Sequence, residues 1–349
     1  MSEDETNAPE NADSSVDEGQ PSRTAEENGS REGWLEKLAL HRPELRAWAL
    51  YDWANSALVT VVITAVYPIF FEGVACEGAA QGVAASRHAY VTAASLLAIA
   101  LMAPLLGAYA DRARAKKRSL AFFMLAGAAA TAALFFVGQG DWKFAAACFF
   151  LANVGASGSF VFYDALLPHV ASGGPRETDR LSTSGFALGY LSGGFVLAVC
   201  LLLLQKPELV GLEAFDLQLR TRGTFVLVAL WWILFSIPLF LRVSEPPGAE
   251  DDAERGSLGP RRILETAREL FAYRNAFWLL VAFLFYNDAI NTIIRMATLV
   301  GSELELETSA MMLAILLVQF VGIPFTFLFG ALAGRFGTKR MVLFGLAVY

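Results

Sequence analysis

Cysteine and histidine are scarce in this 349-residue chain, and the few present are scattered. Cys76, Cys148 and Cys200 give neither a paired framework nor metal-ligand spacing, and His41, His88 and His169 do not cluster. A disulfide scaffold and a metal centre are thereby excluded. No Gly-rich loop followed by Lys and Ser or Thr occurs, and no His-Glu-x-x-His helix, so neither ATP-driven chemistry nor a zinc hydrolase is written in the chain. Charge is missing too, but only in places. Residues 1 to 46 are crowded with Asp, Glu, Ser, Asn and Arg, whereas the later apolar runs hold almost none. The formal net charge of -7 describes tail and loops, not a nucleic-acid or partner surface. No catalytic residue, metal site or cofactor is predicted.

What the chain has in excess is apolar surface. Its residues are 55% hydrophobic with a mean hydropathy of +0.47, too apolar for a water-soluble protein. A bilayer span needs about 20 mostly apolar residues. Eight stretches qualify, at 48–71, 88–110, 119–138, 142–166, 183–204, 223–241, 275–299 and 308–333. A ninth begins at Met341 and is cut off at Tyr349, so the chain is expected to be truncated after eight complete transmembrane helices. Residues 1–42 are predicted to be a disordered acidic tail, because a segment so poor in large apolar residues cannot offset its ordering entropy. The tail lacks the basic start and apolar stretch of a cleavable signal, which leaves the first span as the targeting element.

Lys and Arg set the orientation. With the tail in the cytosol, twenty-one of them fall on the cytosolic side, five fall on the other, and Arg295 lies inside a span. The longest cytosolic connection, 242–274, follows six spans and divides a six-helix bundle at 43–241 from the first part of a second bundle at 275–349. Its Pro246, Pro247 and Gly248 break helix, while Ile263, Ala267, Leu270 and Phe271 recur at helical spacing and predict an interfacial helix.

The two sides of that linker resemble one another. Gly107-Ala-Tyr-Ala-Asp111-Arg112, with Arg114, Lys116, Lys117 and Arg118 following, matches Gly330-Ala-Leu-Ala-Gly334-Arg335, with Lys339 and Arg340 following. In the spans, Asp52, Asn55 and Ser56 match Asp288, Asn291 and Thr292. Offsets of three and four put each triplet on one helix face.

The Gly107, Asp111 and Arg112 loop resembles the loop signature of the major facilitator superfamily. Trp48-Ala-Leu-Tyr51-Asp52-Trp53-Ala54-Asn55-Ser56-Ala57 and Tyr286-Asn287-Asp288-Ala289-Ile290-Asn291-Thr292 are similar to the Unknown Major Facilitator branch, related to the vacuolar autophagy-linked amino-acid effluxers. Arg114 and Gly334 depart from the loop signature, standing where a second glycine and an acidic residue are usual. The resemblance implies an all-α membrane protein with two six-helix bundles, and amino-acid or peptide efflux by alternating access. It also assigns Gly107, Asp111, Arg112 and Arg335 to a gating loop.

Asp288 is the sharpest candidate, about 20 Å along its span. A carboxylate there costs roughly 2.5 to 3.5 kcal/mol on insertion scales, so it must face a cavity or partner helices. Arg295, two turns on, extends Asp288, Asn291 and Thr292 into one polar stripe. This stripe reads either as a substrate or proton site or as a structural Asp288 to Arg295 ion pair. Asp52, close to Trp48, reads as substrate contact or as interfacial solvation, with Asn55 and Ser56 deeper on its face. Gln319 and Asn153 read as interhelical hydrogen-bond glue, and Gly185, Gly189 and Gly193 as a packing stripe. A secondary transporter is expected, monomeric, in an inner or plasma membrane, with lipid, a small solute and protons as its partners. A membrane-embedded lipid-modifying enzyme and a channel are the rivals.

Overall fold

The computed structural model describes residues 33–80, 82–112, 115–245 and 273–348, with backbone alone at 108, 110–112, 276, 288 and 338. Lipid offers no partner to a free backbone N–H or C=O, so an apolar run satisfies them internally by forming helix. Among the described residues every regular element is helical, and eight helices are long and apolar enough to cross a bilayer. These are α1 (Pro43–Ala75), α2 (Val83–Gly107), α3 (Lys116–Phe136), α4 (Trp142–Val170), α5 (Pro175–Gln205), α6 (Leu217–Arg242), α7 (Phe277–Glu303) and α8 (Thr308–Phe336). They match the eight expected spans in order. A shorter α9 follows at Thr338–Val348. The chain is an all-α membrane protein. Most of the acidic tail and the expected interfacial helix lie outside the described residues.

The first helix runs through the middle. Its most apolar stretch is largely buried, while those of α7 and α8 are almost fully exposed. Side-chain hydrogen bonds tie α1 to α4 along its length, the two running antiparallel. Trp48 Nε1 donates to the Tyr163 carbonyl at 3.3 Å and Tyr163 Oη returns a bond to the Trp48 carbonyl at 3.2 Å. Tyr51 Oη reaches Ser159 Oγ at 2.8 Å, and Tyr67 Oη the Ala145 carbonyl at 3.1 Å.

Glycine sets the closest approaches. A methyl group on Gly155 of α4 would lie 2.5 Å from the Gly127 Cα of α3, and one on Gly127 would meet the buried Trp232 ring of α6 at 2.9 Å. Along α5, Gly185 receives Asp52, Gly189 receives Ser56 and Gly193 receives Thr60. The stripe read as packing is therefore a ladder whose three rungs are polar side chains of α1. The same helix takes α8 on another flank: Gln319 and Phe320 lie against Gly194, and the Tyr190 ring covers Gly322. Thus α5 joins the first six spans to the eighth.

Two irregularities mark α1. Leu58–Val66 and Phe71–Ala75 are π-helical, on either side of an α-helical turn at Tyr67–Phe70. Such segments are rare and concentrate at functional sites. Pro68, just after the π-helical stretch, has no N–H and so takes one donor out of the helix there. The hydroxyl of Thr298 of α7 donates to the Thr64 carbonyl.

Candidate functional site

Among the described residues, no hydrogen bond joins the two polar triplets. Because α1 begins at Pro43, Asp52 lies about 13 Å inside the helix at 1.5 Å per residue, deeper than a start near Trp48 implies. Its carboxylate rests on Gly185 and neighbours Tyr163, and Asn55 Nδ2 reaches Asp52 Oδ1 at 3.5 Å. Asn55 is buried and Ser56 half-buried against Gly189. This triplet belongs to the end of the bundle where α1 starts, the tail end. The contacts of α7 fall further along α1. Thr298 bonds the Thr64 carbonyl, and Ser302 Oγ donates to Glu72 Oε2 at 2.8 Å. About 18 Å of helix separates Asp52 from Thr64.

Within the stripe of α7, Asn291 Nδ2 turns back to the Asn287 carbonyl at 2.8 Å and Thr292 is exposed. The side chain of Asp288, and with it the proposed pairing to Arg295, lies outside the described residues. Arg295 is the member of the stripe that crosses to the first bundle: its Nη1 donates to Asn153 Oδ1 of α4 at 2.6 Å. Asn153 Nδ2 is held in turn by the Phe149 carbonyl at 2.9 Å, which aims the amide oxygen at the guanidinium. Asn153 is thus interhelical glue, as expected, but glue between the two halves. A guanidinium carries five donors. Among the described residues, Arg295 has this neutral amide and no carboxylate within salt-bridge distance.

Beside this contact sits a residue that sequence reasoning passed over. His88 was placed at the very edge of the second span, but α2 starts at Val83 and carries it inside, 1% exposed. Its ring packs among Tyr67, Phe71 and Phe149, with centroids 5.7, 6.0 and 5.2 Å away. Neither ring nitrogen has a hydrogen-bond partner among the described residues, and neither does the hydroxyl of Thr92 one turn further on. Each such buried, unpaired group costs about 1–3 kcal/mol. Arg295 is close enough for its charge to act on the imidazole. The signal available in sequence was a lone ionisable residue within a span, which by itself marks a functional position.

This arrangement of central α1, a second-half arginine anchored on the first half and basic turns at one end suits passage of a solute between two bundles. Comparison with known proteins decides the family. A model described as "Vacuole effluxer Atg22 like" matches residues 79–349. The chain belongs to this Atg22-like family. It is also 33% identical over 306 residues, 87% of this chain and 70% of the relative, to the uncharacterized MFS-type transporter YxiO of Bacillus subtilis (strain 168). No solved structure matches. The chain is a multi-pass membrane transporter, and the embedded-enzyme reading gives way.

In this Atg22-like chain the two basic turns lie at the same end. Lys116 Nζ reaches the Ala165 carbonyl at 3.4 Å at the end of α4, and Gly330 of α8 lies 3.7 Å from Thr183 near the start of α5. Gly107 has open space around it, and the side chains of Asp111 and Arg112 lie outside the described residues. Arg335 is exposed and rests over the Phe336 ring at 5.5 Å. The first turn is gripped by Glu245, whose two oxygens accept from the backbone N–H of Lys116 and of Lys117 at 2.6 and 3.1 Å. Lys117 Nζ closes the clasp on the Phe240 and Val243 carbonyls at 2.9 and 2.6 Å. A carboxylate on these first amides also complements the positive end of α3.

Proposed function

We propose that this transporter carries a small solute bearing a carboxylate, of the amino-acid or short-peptide class, by alternating access of two bundles, and that Arg295 is the group that recognises the carboxylate. One observation carries the reading: the Arg295 guanidinium, inside the membrane, is held on a neutral amide of the opposite half. A part-buried guanidinium with donors to spare among the described residues favours a planar anion, which it binds in a two-pronged fork. The family description as an effluxer supports export as the direction. The Lys and Arg distribution supports a cytosolic tail in an inner or plasma membrane. Thr298 on Thr64 and Ser302 on Glu72 would hold the end remote from the tail closed, and their release would open it. Asp288, with Asp52, supplies the carboxylates for a proton.

Counterflow in proteoliposomes tests the reading. Flux of radiolabelled amino acids or dipeptides should saturate and accelerate when the same solute is loaded on the far side, and Arg295→Ala should abolish it. Flux that neither saturates nor accelerates would replace the carrier with a channel. Equal flux of an acid and its carboxamide would remove Arg295 from recognition.

A further inference from the structure

We propose that His88 and Thr92 of α2 complete, with Arg295 and Asn153, a carboxylate subsite built across the two bundles. The inference rests on the assignment of Arg295 above and adds the other wall of the site. His88 and Thr92 are four residues apart, so they share one face of α2. On α4, Phe149 and Asn153 are likewise four apart; Phe149 packs on the His88 ring and Asn153 holds Arg295. The residues are 1% and 3% exposed and, among the described residues, the imidazole and the hydroxyl lack partners, while the guanidinium near them bonds one neutral amide.

Among the described residues, the neighbouring side chains leave little to compete with an anion. Tyr67 spends its hydroxyl on the Ala145 carbonyl, Arg87 lies over the Trp142 ring at 4.1 Å, and the Cys76 and Cys148 thiols are buried nearby. Glu72, the carboxylate of this region among the described residues, already accepts from Ser302. Among the described residues, a cation and two idle donors stand against this one engaged carboxylate, an arrangement complementary to an anion. A carboxylate has about four lone-pair positions, enough for two guanidinium N–H groups, one imidazole N–H and one hydroxyl. In the present arrangement the aromatic rings fill the space in front of His88. Parting of α7 from α1 at Thr298 and Ser302 is the movement that would admit the ligand.

The test uses the full chain and a panel of amino acids and dipeptides, each paired with its carboxamide. Affinity is read by ligand-induced thermal shift and by counterflow. Wild type should prefer each acid over its amide. His88→Phe suits the aromatic cage and should fold at least as stably, yet weaken acids at least tenfold while leaving amides unchanged. His88→Gln keeps a donor and should recover part of the loss. Thr92→Val, which conserves volume, should weaken acids severalfold and decides the matter if His88→Phe does not fold. Acid binding at wild-type strength in His88→Phe and Thr92→Val, with acid preference lost in Arg295→Ala, would overturn the subsite and leave the Arg295 reading standing. No acid preference in wild type would overturn both.

Discussion

Arg295→Lys keeps the charge that Asn153 holds and removes the fork. If recognition depends on two parallel N–H bonds, this change should weaken acid binding about tenfold, or about 1.4 kcal/mol, without loss of folding. Titration of the purified variant with its best acid measures it, and unchanged affinity would argue for a simple point charge. Asp288 calls for a different experiment. Asp288→Asn should flatten the pH dependence of flux and spare counterflow, since exchange at equal pH needs no net proton movement. Preserved pH dependence would move the proton to Asp52. At this scale the sequence was only half legible. Arg295 and the two triplets stood out because charge inside a span is expensive. His88 did not, because hydropathy placed the span's edge five residues late and made a buried imidazole look interfacial. For Asp52 the sequence left substrate contact and interfacial solvation open; what it did not show is that Trp48 is buried in the protein, stacked on Tyr163 at 4.3 Å.

The helices themselves were legible because lipid leaves few alternatives to a run of twenty apolar residues. Their irregularities were not. The β-branched sequence Val59-Thr60-Val61-Val62-Ile63-Thr64 reads the same whether its turns are α or π, and nothing in it announces the bond that Thr298 makes to the Thr64 carbonyl. The ladder of Gly185, Gly189 and Gly193 announced close packing without naming the rungs, since any neighbour can fill a smooth face. The α3 to α4 crossing tests what such contacts are worth. In Gly155→Ala the new methyl meets backbone at Gly127, which cannot rotate away, so a loss of about 1–3 kcal/mol is expected. Thermal unfolding in detergent should register it. Gly107→Ala, where nothing lies within 4 Å, is the control that should unfold like wild type.

For the molecule as a whole, and among the described residues, the two halves touch along two lines besides the Arg295 to Asn153 bond. One is α5 against α8, with glycine on both sides; the other is the far portion of α1 against α7. If the second line is a gate, joining it should arrest transport. A Thr64→Cys, Thr298→Cys pair, oxidised in the membrane, should stop flux and recover it on reduction, since the three native cysteines are buried and free. Undiminished flux in the crosslinked protein would show that this seam never parts. The repeated motifs propose a division of the chain into related halves, whereas nothing in them points to the seam, because it depends on hydroxyls that any span can carry.

The clasp at Glu245 extends this picture to the connection between the halves. A hinge that hung loose would let the second half drift without the first sensing it. Here the chain leaving α6 is moored by a carboxylate to the opening amides of α3, so any tug from the later helices is delivered first to the basic turn. Cutting that mooring with Glu245→Gln would leave each helix intact and uncouple the pull from the turn that receives it.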